Sequence, residues 1–265
     1  MEEIMFQRVV MPLELNEPFS EIKLRCQFVN QLNVKNIYLL HITSENDNTT
    51  RSKQQLDDIA MILKHLGFNV QTEVRGGQPA TGICQTAKEK QSFIYIPGKR
   101  KNLLSATLLG STTNDVLRLT TIPVLVHKAR PALKDTIKNI LYATDFKDAA
   151  QRALPYVKDL ACAGGKLNVL HVGKRAADPF SEQHRRKNVM DKIKLLTKDL
   201  ETHFSWVEGK EDVGTPSNYI AKYSEEIQAD VIVLGRYNKG LTQKILGSTA
   251  ERISGKVHSS ILLIP

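Results

Sequence analysis

Residues 230–265 read DVIVLGRYNKGLTQKILGSTAERISGKVHSSILLIP, and residues 93–128 read FIYIPGKRKNLLSATLLGSTTNDVLRLTTIPVLVHK. In each, an apolar run ends on a glycine (Gly98, Gly235), and a Gly-Ser-Thr follows twelve residues later, at Gly110 and at Gly247-Ser248-Thr249. The same offset of 137 residues carries Gly77 onto Gly214, Pro79 onto Pro216 and Pro123 onto Ser260. A long fixed period of this kind is the mark of a duplicated unit. We therefore divide the chain at the proline-bearing linker 128–136 into domains 1–130 and 131–265, each large enough to bury its own core.

Each half repeats one order of elements. Short apolar runs rich in Val, Ile and Leu start near Arg8, Asn36, Phe93 and Ile122, and again near Asn139, Lys166, Val231 and Ser260. The stretch from Phe68 alternates apolar with polar residues, a strand more exposed on one face, and the stretch from Ser205 takes its place in the second half. Between them lie stretches with apolar residues at helical spacing, such as Leu56, Ile59, Ala60 and Leu63, and residues 147–163 read as the first helix of the second half. Pro79 and Pro216 stand where a helix favours proline in its first turn. Strands alternating with helices give an α/β fold, with five parallel strands in each half and helices on both faces.

Composition excludes several classes. The net charge of +9 divides as 16 basic and 12 acidic residues in 1–130 and 21 and 16 in 131–265. Such mild positive charge suits a phosphate-bearing ligand and equally suits a Lys-rich solvated surface. No aromatic RNA-binding motif and no zinc-finger spacing is present, so nucleic acid is not the expected partner. The three cysteines (Cys26, Cys84, Cys162) form no CxxC pair and read as reduced, mostly buried thiols of a cytoplasmic protein. No run approaches the length of a membrane span, and the N-terminus has no signal-peptide pattern.

In an open parallel sheet a ligand sits beyond the carboxyl ends of the strands, where the strand order reverses. The candidate groups are thus Glu14 and Asp145 after the first strands, His41-Ile42 and His171-Val172 at the ends of the second, and the glycine loops after the fourth. Lys99, Arg100 and Lys101 in one loop, and Arg236 and Lys239 in the other, could add positive charge. A glycine loop feeding a helix that opens with Gly-Ser-Thr offers backbone N–H groups and the helix dipole to a phosphate. Structural readings stand beside these. Ser248 with Glu251 forms a capping box, Gly110 and Gly247 permit a tight turn, and Asp145 can cap the following helix. The histidines read as packed or solvated strand ends, and Trp206 as a half-buried strand residue. The stretch Gly235-RYNK-Gly240-Leu241-Thr242 mimics a P-loop but has leucine where that motif needs lysine. No nucleophile elbow or metal-binding HExxH is present, and no acid–base set suggests an enzyme.

The pattern resembles the universal stress protein family in its tandem form, over essentially the whole chain. Tyr142-ATD, Val169-LHV, Ala229-DVIVLG and Lys244-ILGSTAERI carry the resemblance. It implies a Rossmann-like (adenine nucleotide alpha hydrolase-like) fold and stress-linked expression. It also implies domains paired through their last strands, with a homodimer as a further option. One branch of the family binds ATP through Gly-x2-Gly-x9-Gly-Ser/Thr. Here the two earlier positions hold Leu234 and Tyr237, with Gly235 and Gly240 displaced, and in the first half they hold Pro97 and Arg100. Carried onto this chain, the resemblance places Asp145 at the ribose or adenine and the Val172 backbone at the adenine. It places Gly235, Gly247, Ser248 and Thr249 at the phosphates of ATP or a related adenine nucleotide, with Mg as an optional companion. A nucleotide-independent scaffold for an unknown protein partner, and a slow ATP hydrolase, are the alternatives.

Overall fold

The structure, a computed structural model, describes residues 5–44, 48–98, 110–128, 136–236, 249, 252–253 and 255–265. It divides into two units, the first built from residues up to Gly98 and from 110 to 128, the second from Ile137–Pro265.

The first unit runs β1 (Arg8–Pro12), α1 (Phe19–Asn30), β2 (Asn36–Thr43), α2 (Thr49–His65), β3 (Val70–Gly76), α3 (Pro79–Glu89), β4 (Phe93–Pro97), α4 (Ser111–Leu119) and β5 (Val124–His127). Every strand pair is parallel and the order is β3-β2-β1-β4-β5. The chain steps outward from β1 to β3, then returns to β4 on the other side. Right-handed crossovers therefore place α1 and α2 on one face and α3 and α4 on the other, and α3 packs on α4. Burial on both faces explains why β4 reads FIYIP rather than alternating apolar with polar residues.

The second unit repeats this with β6 (Asn139–Ala143), α5 (Asp148–Asp159), β7 (Lys166–Gly173), α6 (Pro179–Leu200), β8 (Val207–Val213), α7 (Pro216–Glu226), β9 (Val231–Gly235) and β10 (Ser260–Ile264). Its order is β8-β7-β6-β9-β10, again parallel throughout. The repeat extends to backbone strain. Gly77 and Gly214 both take positive φ, at +115° and +148°, in the turn before α3 and α7. Side chains other than glycine rarely adopt that conformation, so the matched glycines are turn residues.

Three expectations shift. The helix expected over 147–163 stops at Asp159, four residues after Pro155, and the chain continues as a 3-10 turn over Leu160–Ala163. That turn brings Cys162 to the surface, whereas Cys26 is buried and Cys84 half-buried, so the thiols are not mostly buried. Trp206 lies just before β8, 39% exposed, with Lys166 Nζ 5.4 Å from its ring centroid.

Candidate functional site

The strand order reverses between β6 and β9, and the residues at that carboxyl end are held by a small set of bonds. Tyr142 is buried in β6, and its hydroxyl donates to Ala150 O at 2.6 Å, drawing the first turn of α5 over the sheet. Burial pushes the Tyr142 phenol up to about 12, so it stays a neutral donor. The same turn meets β9. A Cβ on Gly235 would lie 2.2 Å from Ala149 O and 2.7 Å from Ala150 N, so only glycine admits this approach.

Between β6 and α5 the chain makes a tight turn. Thr144 Oγ1 accepts the Phe146 N–H and Asp145 Oδ1 accepts the Lys147 N–H, both at 3.0 Å. The Asp145 carboxylate is otherwise exposed. Phe146 takes φ +60° and stacks on His171, with ring centroids 5.1 Å apart. The first unit has Leu15 at this point with no positive φ. A bulky residue in the left-handed region is uncommon and marks a constrained site.

The matched histidines turn out to have a shared role. His171 Nδ1 bonds Thr144 O at 2.9 Å, and His41 Nδ1 bonds Leu13 O at 2.9 Å. Thr144 N–H donates to Leu170 O, and the next rung of a parallel ladder would be Val172 N–H to Thr144 O. His171 takes that carbonyl instead. Gly173 O accepts from Gly214 on the β8 side, so by alternation the N–H and C=O of Val172 face the β6 side, beyond the last β6–β7 bond. Among the described residues they have no partner there. Sequence reasoning missed this, although two histidines at matched strand ends were the available signal.

In the first unit the equivalent turn is closed differently. Glu17 accepts the Glu14 N–H at 3.3 Å and pairs with the buried Arg25 guanidinium. Glu14 thus sits in a turn occupied by the unit's own ion pair.

The predicted residues are only partly brought together. Asp145, Val172 and Gly235 all lie at the carboxyl end of the second sheet, but Gly235 is spent on packing against α5. Thr249 is helical and half-buried. Gly247 and Ser248 lie outside the described residues, as do Glu251, Tyr237, Lys239, Gly240 and Lys99 to Lys101. Arg236, expected to add charge to the loop, is buried, and its N–H donates to Ile264 O at 2.5 Å. A cleft of about 690 Å³ opens beside β7, lined by Arg175, Ala177, Pro179, Gln183 and Arg186 among others. None of Asp145, Val172 or Gly235 lines it. Its rim is fixed by Arg185, which grips Glu182 with two hydrogen bonds at 2.8 and 2.9 Å and reaches Glu211 Oε1 at 2.6 Å. Glu182 Oε2 in turn accepts the Ala176 N–H at 2.8 Å.

The model of the universal stress protein family matches residues 32–128 and 136–265, once in each unit. The chain belongs to the universal stress protein family. A universal stress protein of Mycolicibacterium smegmatis is 25% identical over 211 residues, covering 75% of this chain and 69% of that one. Universal stress protein MJ0531 of Methanocaldococcus jannaschii is 31% identical over 143 residues, covering 48% and 81%. Among solved structures, a universal stress protein from Archaeoglobus fulgidus superposes with a TM-score of 0.71 at 21% identity, covering 97% of this chain and 98% of that one. A functionally unknown Pseudomonas aeruginosa protein gives 0.78 at 19%, covering 98% and 93%. At these identities the structures establish a shared tandem, Rossmann-like fold. Among the described residues, no group of His, Cys, Asp and Glu could hold a metal ion, and no helix is long and apolar enough to cross a membrane.

Proposed function

We propose that the second unit is a cytoplasmic, stress-linked binding module for an adenine nucleotide, ATP first among them, and that the first unit is its degenerate counterpart. In this reading 1–130 and 131–265 are the two functional halves. The observation that carries it is the pairing of an exposed Asp145 carboxylate with the open N–H and C=O of Val172 at the switch point. A carboxylate accepts from ribose hydroxyls, and an N–H flanked by a C=O matches the donor–acceptor edge of adenine. Gly247, Ser248 and Thr249 would take the phosphates, with Mg as an optional counter-ion. Gly235 contributes by letting α5 close over β9. The module acts by binding, with the exposed Asp145 carboxylate assigned to the ribose rather than to a water.

The test is thermal unfolding of the full chain with and without ATP. Saturating ATP raises the melting temperature by the ordinary linkage of ligand to folded state, and Asp145→Ala removes the rise. An equal rise in the variant would refute the site.

A second reading, a scaffold that needs no nucleotide, draws on two observations. Asp145 already serves its turn through Lys147, and Gly235 is already explained by Ala149. On that reading ATP leaves the melting temperature unchanged.

A further inference from the structure

The helix α6 differs from its counterpart α2 in length and charge. It spans 22 residues against 17, and carries Arg185, Arg186, Lys187, Lys192, Lys194 and Lys198 against Glu182, Asp191 and Asp199. Three of the six cations are engaged. Arg185 holds Glu182 and Glu211, Arg186 approaches Glu211 at 3.7 Å, and Lys192 lies 5.8 Å from the Phe146 ring centroid. Lys187, Lys194 and Lys198 have no partner among the described residues, and all three are exposed. Two large apolar side chains stand out beside them, Phe180 at 82% exposure and Leu195 at 72%.

At 3.6 residues per turn, Phe180, Lys187, Asp191, Lys194, Leu195 and Lys198 fall within about 100° of one another, on one stripe about 27 Å long. Phe180 and Leu195 are separated by about 22 Å along it. We propose that this stripe is a docking surface for an acidic, amphipathic helical segment of a protein partner. The inference is independent of nucleotide binding.

The interleaving of charge and apolar groups decides the class of partner. A helix that lies on a membrane keeps its cations and its apolar groups on opposite faces. Here, sinking Phe180 and Leu195 into acyl chains would drag Lys187, Asp191 and Lys194 to the same depth, at a high desolvation cost. A nucleic acid backbone would neutralise the lysines but leave both apolar groups against phosphate and bring Asp191 against like charge. An acidic helix can vary its side chains where a phosphate backbone cannot: carboxylates opposite the lysines, a neutral residue opposite Asp191 and an apolar residue near each end.

The experiment uses fluorescence anisotropy of a labelled helical peptide of about 18 residues, with a leucine near each end and glutamates between, titrated with the full-length chain. Two variants accompany it, Lys187→Glu with Lys194→Glu and Lys198→Glu, and Phe180→Ala with Leu195→Ala. Their melting temperatures control for folding, which exposed sites leave intact. The expected result is saturable binding at low salt, weakened by about tenfold or more in each variant and by raised ionic strength in the parent. Equal peptide binding by parent and both variants would overturn the proposal, as would no binding at a concentration of about 1 mM. It would also fall if phosphatidylserine vesicles or duplex DNA bound in the peptide's place, with the same dependence on the lysines.

Discussion

At Gly235 one missing methyl group decides how close a helix can come to a strand. The nearest atoms to a built Cβ are backbone, Ala149 O at 2.2 Å and Ala149 C at 2.3 Å, so neither neighbour can rotate away. Gly235→Ala is therefore expected to lower stability by about 1–3 kcal/mol, read from the urea midpoint. An unchanged midpoint would show that α5 does not pack there. The thiols give a second prediction at this scale. Burial pushes Cys26 up to about 12, and Cys162, though exposed, is also raised by burial of its sulfur and by Asp159. Raised values mean little thiolate at pH 8 at Cys26 and Cys162, and access orders the labelling of all three. Mass spectrometry should find Cys162 modified first, Cys84 later and Cys26 only on unfolding. Modification of Cys26 at the rate of Cys162 would contradict the burial. His171 belongs here too: it occupies Thr144 O and leaves the Val172 amide open. His171→Leu should weaken ATP binding by about fivefold, since a lost hydrogen bond of this kind is worth about 1 kcal/mol; calorimetry with an unchanged Kd would remove it from the site.

Among the elements, α6 is anchored by charge at its first turns. Asp178 caps the helix by accepting the Ser181 N–H, and Glu182 is held by Arg185 and the Ala176 N–H. Hydrogen bonds from Arg185 first, and from the Ala176 N–H next, draw Glu182 down from an ordinary 4.5 to about 2. A carboxylate lowered on folding contributes stability that is whole above its unfolded value and is lost as pH falls through its folded one. The melting-temperature gap between parent and Glu182→Gln should accordingly be widest at neutral pH and close between about 4.5 and about 2. A gap that persists unchanged at pH 2 would show that the ion pair is not its source. The elements themselves were largely legible in the sequence. Apolar runs located most strands, alternation located β3 and the repeated order located β8, while Pro79 and Pro216 located the starts of α3 and α7. The anchor was not legible, because Arg185 and Glu211 meet between α6 and β8 and no local spacing announces such a pair. Nor was the early end of α5, or the left-handed Phe146, both of which depend on tertiary packing.

Across the whole molecule, duplication supplies two copies of one fold, and on the proposed reading divergence has given them different tasks. Both units keep the turn glycines and the strand-end histidines. Only the second keeps an exposed aspartate after its first strand; the first fills that turn with the Glu17–Arg25 pair. The sequence already favoured Asp145 over Glu14, but it could not show that Glu17 occupies the first turn or that Gly235 is committed to packing. On the proposed reading each chain carries a single nucleotide site, in the second unit. Calorimetric titration of ATP into the full-length protein, beside the Asp145→Ala, Gly247→Val double variant, decides this. The expected stoichiometry is about one, abolished in the variant. A stoichiometry of about two would contradict it by giving the first unit a working site, and no heat at about 1 mM ATP would contradict it outright.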